Sequence, residues 1–241
     1  MKKFAVFDID GTLIRWQLYH AIADALVKLG FVDASAYDSM RGARMAWKRR
    51  EAGASFKSYE AELIRTYEQV LRDLTTEQFE SAAKAVFEEY RDQVYIYTRG
   101  LITELKSNDY LIFAISGSQA EIVKLMAAYY GFDDFVGTSY ERSGDKFSGK
   151  RTFYAAKKDV ALKSLAQKHG VTFKGSIAVG DSKSDAAMLE LVERPIAFNP
   201  DADLYKIARE HGWEVVLERK NMVYELKAKD GRYQLDKTNA D

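Results

Sequence analysis

The chain of 241 residues contains no cysteine. That absence excludes a disulfide framework, a thiolate nucleophile and a thiolate zinc site together. There are only two prolines and no low-complexity tract, so the composition is not that of a disordered chain. Neither sign of charge is in excess, since 36 Lys and Arg balance 36 Asp and Glu. A neutral chain lacks the general attraction that nucleic acid or an anionic membrane surface demands. No apolar run approaches the roughly 18 residues of a membrane span. The start Met-Lys-Lys-Phe-Ala-Val-Phe-Asp-Ile-Asp turns acidic too early for a secretory signal. The expectation is a cytoplasmic globular protein, with neither nucleic acid nor membrane as a partner.

What is present is a repeating pattern of short apolar runs and helical stretches. The runs are Lys3-Phe4-Ala5-Val6-Phe7, Tyr110-Leu111-Ile112-Phe113-Ala114-Ile115, Ser176-Ile177-Ala178-Val179 and Pro195-Ile196-Ala197-Phe198. Strands apolar on both sides suit a parallel sheet covered by helices on each face. After the second run, Ser118 and Glu121 have capping-box spacing. The helix there would carry Ile122, Leu125, Met126 and Tyr129 on one face and end at Gly131. A further helix, from about Ala155 to His169, presents Val160, Leu162, Leu165 and Ala166 before Gly170. The alternation predicts a doubly wound, Rossmann-like parallel α/β sheet, whose ligands bind beyond the carboxyl ends of the strands.

Residues 15–97 break this pattern. Leu18, Ile22, Leu26 and Leu29 form one helical face ended by Gly30; Tyr59, Leu63, Tyr67, Val70 and Leu71 form another. Phe79, Ala83, Val86, Phe87 and Tyr90 form a third, after Thr75-Thr76. Several helices between the first two strands exceed an ordinary crossover and predict an inserted all-helical cap, poised as a lid. The core is then 1–14 with 98–221. Met222 to Lys227 and Arg232 to Leu235 flank Asp230-Gly231, predicting a hairpin within a tail of 222–241. Its exposed edge leaves the oligomeric state open.

Chemistry gathers at the predicted strand ends. Asp8-Ile9-Asp10-Gly11-Thr12 follows the first run, and paired carboxylates there call for a cation. Mg²⁺, which prefers oxygen ligands, is the natural candidate. Gly180-Asp181-Ser182-Lys183-Ser184-Asp185 follows the third run and supplies further acidic groups in the same crevice. Ser116-Gly117 offers a hydroxyl and backbone N–H groups to phosphate oxygens, and Lys157-Lys158 offers an ammonium. That set suits phosphoryl transfer through a covalent aspartyl phosphate. A basic stretch of Arg41, Arg44, Lys48, Arg49 and Arg50 lies in the predicted cap, either drawing in an anionic substrate or forming a solvated face. His20, His169 and His211 have no ligand spacing.

These motifs, in this order, resemble the haloacid dehalogenase superfamily of Mg²⁺-dependent phosphohydrolases. The likeness runs from Phe4 to about Leu217 and is greatest to subfamily IB, the branch containing phosphoserine phosphatase. It implies Asp8 as nucleophile and Asp10 as acid/base. It also implies phosphate binding by Asp10, Gly11, Ser116, Gly117 and a lysine, Lys158 by the spacing to Leu162 and Leu165, with Lys157 as the alternative. Asp8, the Asp10 carbonyl and Asp181 would hold Mg²⁺, and Asp185 would support that site. Trp16 and Gln17 are candidate substrate contacts. The branch typically carries a glutamate where this chain has the uncharged Gln17, and no cap arginine is evident near Phe56 to Leu63. The implied substrate is a small phosphate monoester other than phosphoserine. A phosphotransferase or mutase of the same superfamily, or a binding protein retaining the fold, are the alternatives.

Overall fold

A computed structural model describes residues 2–152 and 157–240. In chain order the elements are β1 (Phe4–Phe7), α1 (Leu18–Lys28), α2 (Asp38–Lys48), α3 (Phe56–Leu71), α4 (Thr76–Tyr90), α5 (Ile96–Ser107), β2 (Leu111–Gln119) and α6 (Ala120–Tyr130). They continue with β3 (Asp134–Ser143), β4 (Lys146–Thr152), α7 (Lys158–His169), β5 (Ile177–Gly180), α8 (Ala186–Leu189), β6 (Arg194–Phe198), α9 (Ala202–His211), β7 (Glu214–Arg219), β8 (Met222–Lys229) and β9 (Arg232–Ala240). None of the described helices is long and apolar enough to cross a membrane.

The chain divides into two units. The first holds the sheet in the order β3-β2-β1-β5-β6-β7-β8-β9. In it β3, β2, β1, β5, β6 and β7 pair in parallel, and β8 and β9 are added antiparallel. Every residue of β1 and β5 is buried, which is why these strands read as unbroken apolar runs rather than alternating ones. Phe4, Val6, Phe113, Ile115 and Ala178 pack with Leu162 and Leu165 of α7, Met188 and Leu189 of α8, and Leu204 of α9. This is the doubly wound α/β fold that the apolar runs predict.

Local details depart from the sequence reading in instructive ways. β2 continues through Gln119, which becomes the N-cap of α6 without a side-chain bond. The Ser118–Glu121 capping box is therefore absent, and the Ser118 N–H is spent on the Ser116 hydroxyl at 2.9 Å. Tyr129, Val160 and Leu29, expected on apolar faces, are 47%, 51% and 43% exposed. The predicted helix start at Ala155 lies outside the described residues. The Asp230-Gly231 turn is present, with φ of 51° and 73°, the pair of left-handed residues that matches the twist of a two-residue hairpin.

The second unit comprises residues 18–88 together with 139–152. Its helices bury Ile22, Leu26, Tyr59, Leu63, Tyr67, Leu71 and Phe79. The hairpin formed by the second half of β3 and by β4 packs among them. Phe147 meets Phe79 edge-on with ring centres 5.5 Å apart, and the Thr76 N–H donates to the Asp145 carbonyl at 2.7 Å. Arg142 pairs with Glu80 at 2.7 Å and Arg151 with Glu68 at 2.5 Å. This hairpin was not anticipated from the sequence, and it makes the unit helical in the main rather than entirely.

Candidate active site

β1 delivers Asp8 to the carboxyl end of the sheet, where the Asp8 N–H donates to the Val179 carbonyl at 3.0 Å and extends the β1–β5 ladder. The chain then coils tightly. The N–H groups of Leu13 and Ile14 both donate to the Ile9 carbonyl at 2.9 Å, and the Gly11 N–H donates to the Ile14 carbonyl at 3.0 Å. Gly11 sits at φ +78°, and a Cβ there would lie 2.1 Å from Oδ2 of Asp181. Both the backbone conformation and the space require glycine.

Six of the expected residues are joined by direct bonds or by the electrostatics of one cluster. Lys158, the first residue of α7 and 2% exposed, donates from Nζ to Oδ1 of Asp8 and to Oδ1 of Asp185, each at 2.6 Å. Lys157 is exposed. The Ser116 hydroxyl donates to Oδ2 of Asp10 at 2.8 Å. Oδ2 of Asp185 accepts from the N–H groups of Asp181 and Ser182, at 3.1 and 2.9 Å, and from the Ser182 hydroxyl at 3.2 Å. Gly117 holds the Thr138 hydroxyl through its carbonyl at 2.6 Å. Trp16 and Gln17 are partly buried on the chain leaving the turn, and Gln17 makes no hydrogen bond or ion pair among the described residues.

The electrostatics are those of a cluster short of positive charge. Burial pushes the Asp8 carboxyl up to about 7; Lys158 opposes this, while Asp185 and Asp10 add to it. Burial, then Asp8 and Asp185, raise Asp181 well above the carboxylate range. Burial alone would lower the Lys158 ammonium, but Asp185 and Asp8 more than reverse it, so it stays charged. Ligand oxygens of Asp8, Asp181 and Asp185 lie within 4.8 Å of one another, the one such group among the described residues. An all-oxygen set of this kind fits Mg²⁺, and a divalent cation would remove the mutual repulsion. Asp185 already accepts donors on both oxygens, which makes Asp8 and Asp181 the less committed carboxylates for a metal.

The basic stretch 41–50 belongs to the second unit and is largely engaged there. Arg41 donates to the Ala34 carbonyl at 2.9 Å and lies 3.6 Å from Asp38, while Arg49 lies 3.8 Å from Glu51. Arg44 and Lys48 act on His20.

Beside the Asp8–Ile14 turn is a layer that sequence reading missed: Arg15, Tyr95, Asn199 and Glu218. The Tyr95 N–H donates to the Leu13 carbonyl at 3.0 Å, and the Tyr95 ring carries the Arg15 guanidinium at 5.0 Å. Asn199, at φ +42°, accepts the Glu218 N–H on Oδ1 at 2.9 Å. The Asn199-Pro200-Asp201 turn after β6 was the available signal, since the Asp201 N–H also donates to the Asp181 carbonyl at 2.8 Å.

Comparison with known proteins agrees with this architecture. The chain is 27% identical over 228 residues to a histidinol-phosphatase of Neisseria meningitidis serogroup C, covering 90% of this chain and 99% of that one. It is 27% identical over 228 residues to the phosphoserine phosphatase SerB1 of Mycobacterium tuberculosis, covering 88% and 69%. Among solved structures, a phospho-aspartyl intermediate analogue of phosphoserine phosphatase superposes with a TM-score of 0.61 at 21% identity, covering 91% and 94%. Residues 5–190 match the family model of the haloacid dehalogenase-like hydrolases, and the chain belongs to that family.

Proposed function

We propose that the protein is a Mg²⁺-dependent phosphomonoesterase that works through a phosphorylated Asp8. The observation that carries this reading is the bonding of Lys158 to Asp8 and Asp185, beside Asp181 and the Ser116–Asp10 pair. Mg²⁺ held by Asp8, the Asp10 carbonyl and Asp181 would offset the charge of a phosphate dianion approaching a carboxylate. Lys158 holds Asp8 in place, favours its ionised form together with Mg²⁺, and offers its remaining donor to the phosphoryl group. The Gly117 N–H and, once released from Asp10, the Ser116 hydroxyl would orient phosphate oxygens, whereas the Gly11 N–H is already held by the Ile14 carbonyl. Asp10, oriented by the Ser116 hydroxyl, protonates the leaving oxygen and then deprotonates the water that cleaves the acyl phosphate. The histidinol-phosphatase and phosphoserine phosphatase relatives support a small phosphorylated substrate. The second unit, inserted after the nucleophile turn, serves as the cap that selects the leaving group.

The test is a phosphatase screen with Mg²⁺ over a panel of phosphorylated metabolites and p-nitrophenyl phosphate, with Asp8→Asn as the blank. Turnover should fall at least about 1,000-fold in that variant while its melting temperature is kept. Full activity of Asp8→Asn would overturn the mechanism.

A further inference from the structure

We infer that Arg15 is a specificity-determining residue that binds a second anionic group on the leaving portion of the substrate. The inference rests on the phosphomonoesterase reading above. Arg15 leaves the nucleophile turn, and its backbone N–H is fixed on the Gln93 carbonyl at 2.9 Å. Its guanidinium lies 5.0 Å from the centre of the Tyr95 ring and 3.9 Å from Oε1 of Glu218.

Glu218 is a tether rather than a hydrogen-bond partner. Its side chain is fully buried, Oε2 accepts from the Tyr97 N–H at 2.9 Å, and Oε1 has no hydrogen-bond partner. The Arg15 side chain is still 40% exposed, and its guanidinium makes no hydrogen bond among the described residues. An arginine that served only the fold would spend its five donors on acceptors; this one is immobilised with them unspent.

The platform beneath it is fixed to the turn that follows Asp8, whose Leu13 carbonyl accepts the Tyr95 N–H at 3.0 Å. The Tyr95 ring packs edge-on against Phe198, with ring centres 4.9 Å apart. Burial raises the pKa of its hydroxyl, Arg15 opposes this, and the charges of Asp181 and Glu218 add to it, so the ring senses both Arg15 and Asp181. The phosphoryl group already has Lys158. A second fixed cation, on the chain leaving the same turn, suits a carboxylate or second phosphate on the same molecule, which a guanidinium fork grips in bidentate fashion. Gln17 adds no negative charge for an ammonium, and the Glu218 carboxylate is buried behind Arg15. The substrate class is therefore a phosphomonoester with an acidic second end.

Glycerol 3-phosphate, 3-phosphoglycerate and glycerol 1,3-bisphosphate form a matched set that differs only at the far end. They would be assayed with Mg²⁺ beside p-nitrophenyl phosphate for wild type, Arg15→Met and Arg15→Lys. Wild type should favour at least one acidic probe over glycerol 3-phosphate by about tenfold or more in kcat/KM, and which one tells carboxylate from phosphate. Arg15→Met should erase that ratio and Arg15→Lys keep part of it, since lysine retains the charge without the fork. A merely structural role would lower all probes together and leave the ratio intact. Absence of the preference in wild type, or its survival in Arg15→Met, overturns the inference while p-nitrophenyl phosphate turnover sustains the phosphatase reading. If wild type hydrolyses none of the four, both readings fall.

Discussion

Gly11 is where the site is most crowded. Its left-handed backbone would cost an alanine about 1–2 kcal/mol, and the new Cβ would meet the Asp181 carboxylate at 2.1 Å. The carboxylate would have to move, because the opposing atom belongs to a short side chain set by the Gly180–Asp185 turn. Gly11→Ala should therefore weaken Mg²⁺ binding by about 10- to 100-fold, read by calorimetric titration, with turnover falling in step. Unchanged affinity would mean that Asp181 is not held where a ligand is needed. Lys158 shows the complementary economy of position. One ammonium bonds two carboxylates from different strand ends, so its identity could be read from spacing, whereas Arg15 could not. A lone arginine in a turn gains meaning only when a distant Tyr95 and Glu218 are folded against it.

Among the elements, α1, α2 and α3 are joined by a stack of rings within the second unit. His20 lies 4.8 Å from Tyr59, nearly parallel, and Trp47 lies 5.9 Å from Tyr59, also nearly parallel. Burial, then the charges of Arg44 and Lys48, push the His20 imidazole down to about 3. The folded unit thus refuses a proton that the unfolded chain accepts near pH 6.5. Its contribution to stability is complete above that pH and is lost as pH falls toward 3. Amide exchange in α1 and α3 should quicken between pH 6.5 and 4.5 relative to the intrinsic rate, and His20→Gln should flatten that dependence. These helices were legible because their apolar period is strong over several turns. The hairpin packed with them was not, since Glu141, Arg142, Lys150 and Arg151 give its strands the polarity of a loop, and two of those charges find Glu80 and Glu68 only in the fold. Leu29 and Val160 misled in the opposite sense. Periodicity continues to the ends of a helix, whereas the surface it packs against stops sooner.

For the molecule as a whole, neutrality is an average over unlike regions. In metal-free protein Asp8 and Asp181 hold protons in the folded state that the unfolded chain releases above about 4. Stability from these groups is therefore present in acid and declines as pH rises through about 7. Mg²⁺ should raise the melting temperature much more at pH 8 than at pH 5, measured against a chelator control, and Asp181→Asn should shrink that difference. An increment independent of pH would remove the carboxylates from the metal's account. The doubly wound core that carries them was the most legible part of the fold, because strands buried on both faces leave continuous apolar runs. The parallel register of that core has a consequence for how the enzyme can change over time. Asp8 and Asp181 leave neighbouring strands joined by the Asp8–Val179 hydrogen bond, and strands so joined are about 4.8 Å apart. The separation of the two carboxylates is thus inherited from the pitch of the backbone ladder, which no side chain can rewrite. Core residues and outer contacts are free to drift, while a slip of one residue between β1 and β5 would turn Asp8 to the wrong face and break up the acidic cluster at once.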